Sequence, residues 1–201
     1  AMVRIELNRN GKLSYVSPKT AFRSGDKVRL HVRINRAGYL TVLNEGTSGH
    51  LQLLYPRTLA NASARVSPTL DFTVPATPGK WLEFDDRTGT ERLHIMLSAQ
   101  PIPDVVTFLA LNSGGGAPVS TAGSTGSSGA TADGPAQEQE VVDALNSKAF
   151  RGLLDSSSKD FTETGEDQTE QGEVAVFVVT TGANTDLKKP IVYKLALEHG
   201  N

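Results

Sequence analysis

The sequence predicts a mainly β protein: an antiparallel β-sandwich of immunoglobulin-like or jelly-roll outline, with one amphipathic helix near 137–154. Three observations carry this expectation. Val28, Leu30, Val32 and Ile34 alternate with Arg29, His31 and Arg33, which marks a strand with one buried and one wet face. Val174–Val179 is an unbroken apolar run, which asks for burial on both faces and hence for a central strand. One helix and one hairpin after residue 134 would make too small a core to stand alone. The last third is therefore expected to dock onto the first, giving a single domain over 1–201.

Taken in order, the chain begins Ala1-Met2-Val3-Arg4. An alanine before a methionine looks like a remnant of tag removal, so a signal peptide or further domains upstream are expected to have been cut away. Strands are expected at 28–34 and 39–43. Asn44–Gly49 reads as a hairpin loop, followed by a strand through Leu51, Leu53 and Tyr55 that Pro56 stops. Further strands are expected at 68–74, 80–84 and 91–98. In the last, Leu93, Ile95 and Leu97 face one way and Arg92, His94 and Met96 the other. Residues 104–111 fit a short helix or a strand equally.

Residues 113–134 hold seven of the 19 glycines and almost nothing apolar, which predicts a flexible Gly/Ser/Thr/Ala tether reaching roughly 25 Å. From Pro135 to Leu154 the pattern is helical. Pro135 suits a first turn, Glu138 and Glu140 suit the N-terminal end of the dipole, and Val142, Leu145, Ala149 and Leu153 form one stripe. Residues 155–172 lack an apolar period and read as an acidic mobile loop. A C-terminal hairpin is expected over 173–198, with Gly182–Asp186 as its turn.

Composition excludes some functions. The net charge is -2 and the sequence pI about 6.1, which argues against nucleic-acid binding through bulk charge. No apolar run is long enough to span a bilayer, so no membrane insertion is expected from this segment. With no cysteine there is no disulfide framework, thiol nucleophile or thiolate metal site. Charge is unevenly spread. Residues 1–112 carry 14 Lys+Arg against 9 Asp+Glu, whereas 138–173 carry 3 against 10. The two blocks are complementary within one molecule or between molecules, though solvated faces have the same composition.

From Phe22-Arg23-Ser24-Gly25-Asp26-Lys27-Val28 the sequence resembles a known family. The pattern continues through Asn35-Arg36-Ala37-Gly38-Tyr39-Leu40, Leu54-Tyr55-Pro56, Val74-Pro75, Gly89-Thr90-Glu91-Arg92-Leu93 and Leu97–Pro101. Over about residues 15–105 this is similar to the bacterial domain-of-unknown-function 4384 family. The closing Val192–His199 resembles the end of longer members. The resemblance implies a small β-rich module that recurs in bacterial proteins, often beside kinase-like or protease-like domains or in envelope proteins. It implies no catalytic residues. Each signature residue also has a scaffold reading: Gly25-Asp26 turns into the Val28 strand, Phe22 anchors it, and Gly38 allows a turn between strands.

A search for chemistry yields little. His31 and His94 each stand beside arginines, as on a solvated strand face. No two of His31, His50, His94 and His199 have ligand spacing. Asp85-Asp86-Arg87-Thr88-Gly89 offers carboxylates to calcium but reads first as a β-turn. There is no nucleophile elbow, phosphate loop or dinucleotide fingerprint. Trp81, the only tryptophan, would form a sugar or peptide platform with Tyr39 and Tyr55, or fill the core. Arg29, Arg33 and Arg36, with Arg87 and Arg92, would make a basic face.

The expected function is a non-enzymatic protein-binding or assembly module of a bacterial envelope or secretion-associated protein, periplasmic by the resemblance. A carbohydrate-binding cell-surface module and a hydrolase with an unrecognised carboxylate pair are the alternatives. Candidate partner-binding residues are Arg29, Arg33, Arg36, Tyr39, Tyr55, Trp81, Glu163, Glu166 and Asp167. No catalytic, cofactor-binding or metal residue and no cofactor is expected. A protein is the expected partner, and a homo-oligomer is compatible with the sequence.

Overall fold

A computed structural model of the chain describes residues 2–68, 70–113, 145–157, 161–168, 174–180 and 190–200. The described strands are β1 (Met2–Arg9), β2 (Lys12–Val16), β3 (Phe22–Arg23), β4 (Lys27–Arg33), β5 (Tyr39–Glu45), β6 (Leu51–Tyr55), β7 (Asp71–Val74), β8 (Leu82–Glu83), β9 (Gly89–Ser98), β10 (Phe161–Gln168), β11 (Val174–Thr180) and β12 (Ile191–Gly200). The helices are α1 (Leu59–Ala62), α2 (Pro103–Ser113) and α3 (Lys148–Ser157).

The strands form two sheets. The first runs β10-β11-β1-β4-β7, with β2 also on β1 and β8 also on β4. The second runs β3-β12-β9-β5-β6. All described pairs are antiparallel except β3 with β12, where His199 lies opposite Phe22. The expected β-sandwich is therefore present. Its interior holds Val3, Ile5 and Leu7 of β1 and Val28, Leu30 and Val32 of β4. Facing them are Leu40 and Val42 of β5, Leu93 and Ile95 of β9, and Leu195 and Leu197 of β12. At about 1.5–3 kcal/mol for each fully buried aliphatic side chain, this contact dominates the cohesion of the two sheets.

A third layer covers the far face of the second sheet. Leu43, Leu51, Met96 and Val192, which alternate away from the sandwich interior, pack against Ala62 of α1, Ile102, Val105 and Leu109 at α2, and Leu145, Phe150 and Leu154 at α3. The second sheet is thus buried on both faces, which is why Leu40–Leu43 are all buried. In the first sheet, β1 and β4 alternate buried with mostly half-buried positions, so their outer face is the polar one.

Several sequence expectations are corrected. The expected helix is not alone: α1 precedes it and 104–111 is helical, where Val105 and Leu109 share one buried stripe behind Pro103 at the first turn. The expected helix is also broken at Ser147, so α3 starts at Lys148 and turns Phe150 and Leu154 to the core in place of Ala149 and Leu153. The acidic stretch 155–172 is not all loop. It contains the end of α3 and strand β10, which closes one end of the first sheet. Charged residues such as Glu163, Glu166 and Asp167 belong to such an end strand because they discourage further pairing. The strands at 174–180 and 191–200 do not form a hairpin. β11 pairs with β10 and β1 in the first sheet, and β12 with β9 and β3 in the second. β11 has a strand on each side, β10 and β1, so it is an inner strand as expected; the burial of both its faces lies outside the described residues. The tether beyond Ser113, the start of the expected 135–154 helix and the Gly182–Asp186 turn lie outside the described residues.

Candidate functional site

At one end of the sandwich the two sheets part. The interior positions of β5, β6 and β9 change there from apolar to polar: Val42 gives way to Asn44, Leu54 to Gln52 and Leu93 to Glu91. Opposite them the first sheet offers Val28 and the short β8, with Trp81, Glu83, Phe84 and Asp85. The result is a cleft of about 330 Å³ with an apolar floor and an acidic, aromatic rim. That is the low end of the size range of small-ligand sites.

Local structure fixes each rim group. Gly25 has φ 81 in the turn Arg23–Asp26, where Asp26 N–H returns to the Arg23 carbonyl at 3.0 Å. Gly25 N–H donates to Phe84 O at 2.9 Å, and Phe84 N–H to Asp26 O at 3.0 Å, so the turn carries the segment that presents Trp81 and Glu83. Phe84 stacks on Phe22 at 4.9 Å and anchors that segment in the core. The Asn44 amide donates to Glu91 Oε2 at 2.7 Å and holds this carboxylate at the mouth. Asp85 Oδ1 accepts Arg87 N–H at 2.8 Å, an Asx turn around a bend at Asp86 in place of the expected β-turn. Among the described residues no three His, Asp or Glu side chains converge closely enough to hold a metal.

Trp81 is half-buried, neither a core residue nor a free platform. The Arg29 guanidinium lies 3.9 Å from its ring centroid, and Arg29 Nη2 donates to Lys80 O at 3.3 Å. Arg29 also lies 3.6 Å from Glu6, which takes a hydrogen bond from His31 at 3.1 Å. Arg33 meets Asp71 at 2.9 and 3.1 Å, and Arg4 reaches the same carboxylate at 3.4 Å. The expected basic face is therefore a paired network on the outer face of the first sheet. Arg92 stands on the second sheet and is not part of it. Arg36 is exposed in the β4–β5 connection.

The structure does not bring Tyr39 and Tyr55 to Trp81. They sit at the start of β5 and the end of β6, away from the residues lining the cleft. Tyr55 packs against the sandwich core, and burial raises its phenol above the usual range. Glu163, Glu166 and Asp167 stand on β10 opposite Val178, Val176 and Ala175 of β11, with a register shift between Glu163 and Glu166. Glu91, Asn44 and Gln52 escaped the sequence reading. The signal that could have found them was polarity at positions whose parity belongs to the core.

A second polar cluster lies under α3. His94, expected on a solvated face, is only 2% exposed because the helices cover that side of the sheet. Its Nε2 is 3.1 Å from Glu45 Oε2, and Arg151 Nη1 donates to Glu45 Oε1 at 3.1 Å. Arg151 also donates to Gly49 O and to Asn146 Oδ1. Burial pushes the His94 imidazole below its ordinary value, against the pull of Glu45. Burial works to raise the Glu45 carboxyl, but its hydrogen bonds from His94 and Arg151 prevail and hold it low. The carboxylate therefore accepts, and His94 Nε2 carries the proton, leaving Nδ1 buried without a partner.

No described helix is long and apolar enough to cross a membrane. No curated protein and no solved structure matches the chain. A family model does match it, and the matched segment spans β3 to β9: residues 21–101 match the family described as Domain of unknown function (DUF4384).

Proposed function

We propose that the chain is a non-enzymatic binding module that holds a segment of a partner protein in the cleft beside Trp81. The observation that carries this reading is the cleft itself: an apolar floor between the sheets, rimmed by an indole and carboxylates. A role within a bacterial envelope or secretion-associated protein belongs to the same proposal and rests on the family resemblance. Association would resemble side-chain insertion into a preformed pocket, where one central anchor supplies much of the affinity.

Two other readings have a foothold in the same place. An indole at a cleft also suits a sugar, which makes carbohydrate binding the second reading. Carboxylates on both sides of the cleft would also suit a hydrolase. A general acid of that kind sits in a buried, apolar pocket, whereas Glu83 and Asp85 are exposed. That favours binding over catalysis.

The test is capture from a bacterial envelope extract with wild-type and Trp81→Ala baits, followed by titration of the purified partner. A partner that binds the wild type and loses at least about tenfold affinity for Trp81→Ala supports the proposal. Equal affinity for both baits places recognition elsewhere. A glycan bound on an array in place of a protein moves the assignment to the second reading.

A further inference from the structure

We propose that the cleft is a socket for a guanidinium, so that the partner's anchor is an arginine side chain. This rests on the reading of the domain as a protein-binding module and names the chemistry of what enters it.

Charge is the first argument. The ionisable groups lining the cleft are Glu83, Asp85 and Glu91, and among the described residues no Lys, Arg or His lines it. Lys27 approaches Glu83 but is itself outside the lining. Glu91 comes from the second sheet and Asp85 from the segment after β8, so carboxylates face the space from two sides. A cation entering between them meets attraction from both and no like charge in the lining.

Hydrogen-bond capacity is the second. One of the two Asn44 amide N–H groups is already given to Glu91. Apart from the other, Gln52 and the indole N–H, the polar side chains of the lining offer acceptors, three of them carboxylates. A guanidinium has five N–H donors and no acceptor, and its planar fork matches a carboxylate. A neutral sugar hydroxyl brings both roles and would leave its acceptor side poorly used.

Shape is the third. Val28, Leu54 and Leu93 form an apolar wall suited to the methylene stem of a long cationic side chain. The aromatic rim completes the match, because guanidinium groups stack on indole. Arg29 already does so with Trp81. Arg29 is held from the outer face by Glu6 and by the Lys80 carbonyl, so it does not serve the carboxylates of the cleft.

Trp81 is the only tryptophan, so its fluorescence reports this site alone. The intact protein is titrated with a short acetylated glycine-arginine-glycine peptide amide. The same peptide with citrulline in place of arginine, and methyl glucoside, are titrated in parallel. A saturable change with the arginine peptide is expected, with the citrulline peptide roughly tenfold weaker or worse. Asp85→Asn and Glu91→Gln should each weaken the arginine peptide by about threefold to fivefold, and added salt should weaken it further. Asp85 is exposed, so its substitution leaves folding intact even if Glu91→Gln does not. Equal binding of arginine and citrulline peptides overturns the guanidinium inference and leaves the peptide-binding module standing. Saturation by the sugar alone overturns both in favour of carbohydrate. No response to any probe overturns the cleft as a binding site.

Discussion

Asp26 shows how much one side chain of this fold carries. It is 3% exposed, and Arg9 grips it with two bonds, Nε to Oδ1 at 2.9 Å and Nη2 to Oδ2 at 2.6 Å. Arg23 N–H adds a third at 2.9 Å. The hydrogen bond from Arg9 leads in holding the Asp26 carboxyl below its ordinary value. Asp26→Ala strands the Arg9 guanidinium beside a buried site, and a loss of about 3 kcal/mol is expected, read as a lower urea midpoint at unchanged slope. From the sequence, Gly25-Asp26 was legible as a turn, but the guanidinium that closes it comes from β1 and leaves no local trace. Gly38 was legible as special for a different reason than the one that holds. A Cβ there would lie 2.7 Å from the Ser98 carbonyl oxygen, so the constraint is space rather than a turn. His94 gives the molecule a pH dependence. Its folded value is depressed below the ordinary 6.5, so on acidification the unfolded chain takes up the proton first. Stability is therefore full above about pH 6.5 and falls as pH drops below it. Glu45 adds a further loss at lower pH, where its depressed carboxylate is finally protonated. Thermal midpoints measured from pH 8 to 5 should decline below about 6.5, and His94→Leu should flatten the upper part of that decline.

At the scale of elements, the decisive contacts are those that hold α3 to the second sheet. Its apolar stripe, Phe150 and Leu154, is buried, and Arg151 ties its first turns to the β5–β6 connection through Gly49 O and Glu45. Lys194 of β12 meets Asp155 at 2.9 Å, but that pair is exposed and worth little. Arg151→Ala should loosen α3 by about 1–2 kcal/mol without unfolding the sandwich. Hydrogen exchange would show faster amides in 148–154 against unchanged β4 and β9, and a uniform loss of protection would refute a local role. Legibility followed the same lines. β4, β5, β6 and β9 were readable because one face meets an apolar core and the period of two survives in sequence. The β1–β2 hairpin has an equally plain pattern. Val3, Ile5 and Leu7 alternate, and Asn10-Gly11, with φ of 54 and 83, is the two-residue turn that right-twisted hairpins favour. β10 was not readable, because an end strand gains its structure from backbone pairing with β11 rather than from an apolar pattern. The cleft was half legible: Trp81 drew notice as a lone aromatic, whereas Glu91 and Asn44 gain meaning only when the sheets are set face to face.

For the molecule as a whole, the family segment and the folding unit differ. Residues 21–101 include β3 to β9 but omit β1 and β12. In the second sheet β12 lies between β3 and β9 and pairs with β9 from Ile191 to His199, so without it β3 has no neighbour. In the first sheet β1 pairs with β4 from Met2 to Asn8, and its removal leaves β4 with only the short β7 and β8. Val3, Ile5, Leu7, Leu195 and Leu197 also leave the core, and Leu30, Leu93 and Ile95 lose those neighbours. What remains is a three-stranded β9-β5-β6 sheet opposed only by β4 with the short β7 and β8, at the margin of independent stability. An isolated 21–101 fragment should show poorly dispersed amide signals and no cooperative melt. The complementary experiment separates missing strands from missing connectivity. A chain cut within 113–134 and expressed as two pieces still supplies β11, α3 and β12, whose contacts with the first piece are sheet pairing and buried apolar surface. Cutting the connection costs association entropy, while the core contacts of the described residues are all kept. The two pieces should therefore assemble into one folded species that melts cooperatively, at a temperature that rises with concentration. A cooperative melt from 21–101 alone would instead make the last third an accessory rather than part of the core.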